Sequence, residues 1–148
     1  MSTRVEANLQ ELRTAARTHR KSADALVHGS EAEPSRSAVL LRFYGVESGM
    51  KAILMRREKL RTTNTIFEGA FGLNGHDLEV GMRSINVPAV VAKRPPVLRR
   101  KSAPKSTVSV LRSHEALRYG IDILREDLEQ FDRWLVGILE WLGEEGVA

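Results

Sequence analysis

Residues 124–142 read LREDLEQFDRWLVGILEWL. Leu124, Leu128, Phe131, Leu135, Ile138 and Leu142 step by four and three, the intervals that line one face of an α-helix with apolar side chains. Asp122 is placed to cap this helix and Gly143 to end it. Near the other end of the chain the pattern returns at Val5, Leu9, Leu12, Ala16, His19, Ala23 and Leu26. A helix of about seven turns is predicted there. Ser2 or Thr3 would cap it, Glu6 would complete a capping box with Thr3, and Gly29 would stop it. Each stripe needs a cover, so these first and last long helices are expected to form the hydrophobic frame of a bundle.

Between them, Pro34 opens a second helix from a position where its missing N–H costs nothing. The run from Ala38 to Met55 is apolar on more than one face, which predicts a central helix. Gly45, Ser48, Gly49 and Ala52 form a small-residue strip along it. Each glycine costs about 1 kcal/mol of helix propensity, and close approach of a neighbouring backbone is the expected return. Arg56, Arg57, Lys59 and Arg61 stand where cations complement the helix dipole. Residues 62–75 read as a loop, with Gly69, Gly72 and Gly75 around Phe67 and Phe71. A short helix follows from His76 to about Ile85. Asn86 to Ser106 holds Pro88, Pro95, Pro96 and Pro104 and lacks an amphipathic period, so it is expected to be extended, with 93–105 a mobile basic loop. A helix capped by Ser106 or Thr107 should run to Tyr119, with Gly120 interrupting it. Asn86 to Val91 could be extended, but a lone strand has nothing to pair with. The expected fold is all-α, four or five helices in a single domain over 1–148.

The composition excludes several function classes. There is no cysteine, so disulfide frameworks and thiolate metal sites are out. The polar N-terminal segment has no apolar leader, and no run is long enough to span a membrane. A cytoplasmic location is the expectation. The net charge of +4 divides unevenly: residues 80–114 hold 8 basic and no acidic side chains, whereas 115–148 hold 3 basic and 9 acidic. Either the basic segment meets a polyanion or the two segments face one another.

The histidines His19, His28, His76 and His114 share no i, i+3 or i, i+4 spacing, so no metal site is predicted and no cofactor is implied. No nucleophile elbow or phosphate-cradling glycine loop is present. Glu47 lies in an apolar helical stretch with Lys51 four residues on. That spacing makes an ordinary helical ion pair, or else a buried carboxylate organising a polar pocket with His76 or Arg118. Lys93, Arg94, Arg99, Arg100, Lys101 and Lys105 place six cations in thirteen residues, dense enough to track a phosphate backbone. No aromatic residue interleaves them, so base stacking is not offered, and folding onto the acidic last helix is the alternative. Trp134 and Trp141, with Ile138, widen the apolar face of the last helix. The extra width serves either a subunit interface, in a homodimer or hetero-oligomer, or a broad core contact.

Three pieces in order carry a resemblance: 40-LLRFYGVESGMKAILMRREKL-60, the Gly-His-Asp-Leu of Gly75 to Leu78, and Arg118-Tyr119 before the final helix. They resemble the HEPN superfamily of prokaryotic helical domains, in which a Glu-x-x-x-Lys-Ala helix is matched by Glu47, Lys51 and Ala52. The resemblance implies an up-and-down, usually dimeric bundle of toxin–antitoxin or antiviral systems. Its polar pocket would draw on Glu47, Lys51, His76, Asp77, Arg118 and Tyr119. Enzymatic members resemble one another in an Arg-x(4–6)-His motif that cleaves RNA. Here the last helix has no histidine, and the literal match, Arg13 to His19, falls on the first helix. The expectation is therefore a non-catalytic module that binds RNA or a nucleotide. One alternative is a metal-independent ribonuclease using His76 and Arg118; another is an interaction subunit docked on a larger enzyme.

Overall fold

Five helices and one short hairpin make up the regular structure of the computed structural model, which describes residues 6–27, 35–63, 76–91, 93–103 and 105–148. In chain order these are α1 (Leu9–Val27), α2 (Arg36–Glu58), α3 (Leu78–Ser84), β1 (Leu98–Arg99), β2 (Thr107–Val108), α4 (Val110–Arg118) and α5 (Arg125–Glu144). The fold is an all-α bundle. Ser2, Thr3, Val5, His28, Gly29, Pro34, Phe67, Gly69, Phe71, Gly72, Gly75 and Pro104 lie outside the described residues.

The helix α2 is the hub. It starts where the Ser35 hydroxyl accepts from the Ala38 N–H at 3.0 Å, a standard N-cap that satisfies one orphan donor. It ends at Lys59 in the left-handed region, φ 53°, with the Leu60 N–H donating to the Met55 carbonyl. Val39, Phe43, Val46, Met50, Ile53 and Met55 are all fully buried. They point in several directions because α2 packs against α1, α3, α4 and α5. The frame is therefore not α1 closing on α5. Each lays its stripe on α2 instead, which explains why the central run has no single apolar face.

Gly45 and Gly49 set the spacing of that packing. A Cβ at Gly45 would sit 3.3 Å from Leu139 Cδ2 of α5 and 3.5 Å from the Ala16 carbonyl oxygen of α1. One at Gly49 would sit 2.8 Å from Leu142 Cδ1. A charged residue crosses the same seam. Arg42 is 5 % exposed, and its guanidinium reaches Asp24 of α1 at 3.4 Å and Asp132 of α5 at 2.5 Å. Three helices are thereby joined by one buried cation, whose desolvation is offset only while its partners stay in place.

Several local expectations are corrected. The first helix begins at Leu9, because Asn8 and Glu11 supply a reciprocal capping box: Glu11 N–H donates to Asn8 Oδ1 at 2.8 Å and Asn8 N–H to Glu11 Oε1 at 3.2 Å. The segment before it is held extended by Thr63, whose N–H donates to the Ala7 carbonyl and whose hydroxyl accepts from Ala7. The basic, proline-containing segment is not strandless: Leu98 pairs with Val108 and Arg99 with Thr107, antiparallel. This pairing takes Thr107 out of the next helix, which starts at Val110 after Ser109. Asp122 does not cap α5, because its carboxylate is engaged by Arg100 and the Ser102 N–H; α5 begins after Leu124. Gly143 lies inside α5, and the chain turns at Gly146 with φ 79°. Gly120, at φ 71°, separates α4 from the last helix as its lack of a Cβ allows.

Candidate functional site

Glu47 faces the junction of α2, α3 and α4 and is 6 % exposed. Its Oε1 accepts from Lys51 Nζ at 3.0 Å, one helical turn away, and lies 2.6 Å from His76 Nδ1. His76 reaches it because the chain enters α3 beside α2. The Asp77 carboxylate caps α3 by accepting from the Val80 N–H at 3.2 Å, fixing the turn that presents His76. Asp77 thus serves the helix start. Burial pushes the Glu47 carboxyl up, but the His76 hydrogen bond and the Lys51 charge more than offset this and hold it below 4.5. The carboxylate stays ionised, so a neutral His76 carries its proton on Nδ1 and leaves Nε2 with a lone pair.

A second histidine completes the cluster. The His114 ring of α4 lies 4.8 Å from that of His76 and stacks on Phe43 at 5.3 Å. His114 is 7 % exposed and its Nδ1 is buried without a hydrogen-bond partner among the described residues. Burial lowers its proton affinity, and the neighbouring His76 lowers it further. On the other side, His19 of α1 packs against Tyr44 at 6.1 Å. Burial lowers His19 as well, against the pull of Glu47. Among the described residues, His19, His76 and His114 each touch Glu47 or feel its charge. Local spacing hides the part of His19 and His114, since each comes from a different segment; the sequence marks Glu47, Lys51, His76 and Arg118 as a polar pocket.

Arg118 and Tyr119 occupy the exposed edge of this region. Arg118 Nη2 donates to the Tyr119 hydroxyl at 3.0 Å, and the Tyr44 hydroxyl is also within its reach. No contact joins Arg118 to His76 directly; its charge is felt by His114. Tyr119 is 67 % exposed.

The basic segment is divided by its partners. Arg99 is clamped by Asp127, through Nε at 2.9 Å and Nη2 at 2.9 Å, and reaches Glu126 at 3.1 Å. The Arg99 contact holds the Asp127 carboxyl below its ordinary value. Arg100 donates to Asp122 at 3.0 Å. Hydrogen bonds from Ser102 foremost, and then Arg100, bring Asp122 down to about 2. The hairpin thus folds onto the acidic start of α5. Lys93, Arg94, Lys101 and Lys105 form no ion pair among the described residues.

The broad apolar stripe of α5 is covered by its own chain. Trp134, Ile138 and Trp141 are 8 %, 0 % and 9 % exposed. Trp134 stacks on Phe131 at 5.8 Å and donates from Nε1 to the Lys93 carbonyl at 2.9 Å. Its width answers to the core and the 93–95 segment, which removes these residues as an exposed patch. Among the described residues no helix is long and apolar enough to cross a membrane, and no three His, Asp or Glu side chains converge as a metal ion needs. No family model, curated protein or solved structure matches the chain.

Proposed function

We propose that the chain is a HEPN-like module that binds RNA or a nucleotide and self-associates within a prokaryotic defence or toxin–antitoxin system. The observation that carries this reading is the contact of His76 with Glu47, the carboxylate that also takes Lys51, which joins two separate stretches of the resemblance in one polar cluster. Binding is favoured over cutting. In-line displacement at phosphorus needs a base and an acid on opposite sides of the phosphate. His76 is 39 % exposed, but His114 is buried, and the two rings are packed together. Of these two packed rings, His76 alone is open to a ligand.

The test is fluorescence anisotropy with a labelled single-stranded RNA in EDTA. Expected are binding that weakens steeply with salt, loss of affinity in His76→Ala and Arg118→Ala, and intact RNA afterwards. Absence of binding at low ionic strength overturns the reading. Light scattering tests self-association, which a monomer at high concentration would refute.

A specific geometry supports a second reading, a metal-independent ribonuclease. The Glu47 carboxylate orients His76 at 2.6 Å, the arrangement by which a general base is held in one tautomer. His76 Nε2 would take the proton of a ribose 2′-OH as that oxygen attacks phosphorus; the P–O5′ bond breaks, the 5′-oxygen leaves with a proton from water, and a 2′,3′-cyclic phosphate remains. Arg118 would stabilise the phosphorane charge. Cleavage in EDTA that is lost in His76→Ala and kept in His19→Ala would establish this alternative.

A further inference from the structure

Apart from the Glu47 cluster, α3 and residues 86–89 and 93–95 line an open cleft of about 440 Å³. Arg83, Lys93 and Arg94 line it, with Glu79 the one carboxylate. None of the three cations has an ion-pair partner among the described residues, whereas Arg99 and Arg100, a few residues on, are held by Asp127 and Asp122. The cleft therefore keeps a nominal excess of two positive charges, three cations against one anion. Its remaining lining is the apolar Met82, Val87, Ala89 and Pro95 together with the polar Asn86.

The walls are tied in place. The Arg57 guanidinium donates to the Ile85 carbonyl beneath it. The Val87 N–H donates to the Met82 carbonyl at 3.1 Å. Trp134 Nε1 donates to the Lys93 carbonyl at 2.9 Å, so the cation-bearing segment is anchored to α5. A cleft held on both sides before any ligand arrives loses little freedom on binding.

We infer that this cleft is a nucleoside monophosphate site. A terminal phosphate carries on the order of two negative charges at neutral pH, which matches the excess. Small-ligand pockets run from roughly 300 to 1,000 Å³, so the space suits one nucleotide better than a strand. The phosphate lies against Arg83, Lys93 and Arg94, and the base lies on Met82, Val87 and Pro95. The Glu79 carboxylate accepts from an exocyclic amine and so prefers adenine to uracil. The inference rests on the proposed function only for the nucleotide class of ligand. Its residues are different ones.

Calorimetric titration of the full chain at low salt with AMP, UMP and inorganic phosphate tests it. Expected are AMP binding, UMP and phosphate each weaker by about tenfold, and loss of at least about tenfold for AMP in Arg83→Ala/Lys93→Ala. All of these side chains are exposed, so the variants should melt like the parent. Lys101→Ala/Lys105→Ala, in cations outside the cleft, should bind AMP as the parent does. Glu79→Gln should narrow the AMP–UMP difference. No AMP binding at millimolar ligand, equal affinity for AMP and phosphate, or an unaffected Arg83→Ala/Lys93→Ala variant each overturns the site. AMP binding without RNA binding would sink the RNA reading and keep this one. RNA binding lost in His76→Ala, with AMP binding absent throughout, would do the reverse.

Discussion

Replacing Glu47 with glutamine removes one charge and keeps the shape. In the native chain its Oε1 serves two partners, Lys51 Nζ at 3.0 Å and His76 Nδ1 at 2.6 Å, from a position 6 % exposed. Hydrogen bonds to charged groups contribute about 1.5–3 kcal/mol each. The amide oxygen can still accept one of the two, while Lys51 and His76, at 21 % and 39 % exposure, regain some hydration. A net loss of about 2 kcal/mol follows, or about 6 °C in Tm for a chain of this size. The sign of the pH effect is set by the carboxyl, whose folded-state proton affinity lies below its ordinary value of 4.5. Its contribution is complete above the unfolded value and is lost as pH falls through the folded one. The gap between the parent and Glu47→Gln should thus hold steady from neutral pH to about 5 and close below about 4.5. Urea denaturation across this range measures it, with NMR of the His76 ring to follow the lost acceptor. A loss below about 0.5 kcal/mol at neutral pH, with an unchanged His76 signal, would refute the claim that this carboxylate organises the cluster.

Four other perturbations have defined signs. Burial holds His114 below 6.5, so the unfolded chain takes up its proton first and stability falls as pH drops through 6.5 toward the folded value. His114→Phe, which keeps the stack on Phe43, should flatten that acid slope in urea midpoints. Gly137→Ala meets nothing within 4 Å and should gain about 1 kcal/mol. Gly49→Ala drives a Cβ to 2.8 Å from fully buried Leu142; overpacking of about 1–3 kcal/mol outweighs the same propensity gain, for a net loss of about 1 kcal/mol. Thermal melts distinguish the pair. Arg42→Met leaves Asp132, 15 % exposed, without its cation and should cost about 3 kcal/mol. Pairing it with Asp132→Leu should recover most of this, since an apolar pair tolerates burial that a lone charge does not.

Helices were legible because their signals are local. The stripe from Leu124 to Leu142, the apolar run of α2 and the strip at Gly45 and Gly49 express a periodicity of three and four that needs no knowledge of the partner. The Glu47–Lys51 pair was legible for the same reason. Boundaries shifted where a distant residue competed for a local group. Thr107 joined a strand, Asp122 turned to Arg100 and Ser102, and the α1 cap moved to Asn8.

The sequence by itself determined a helical chain with a carboxylate in its central helix and a block of cations followed by an acidic tail. Only the tertiary structure decided which cations are neutralised and which stay available. It also brought His76 and His114 together beside Glu47 and turned Trp134 inward. The physical reason is range: a hydrogen-bonded turn is specified within four residues, whereas a cluster drawn from positions 19, 47, 76 and 114 exists only once α2 has been packed on every side.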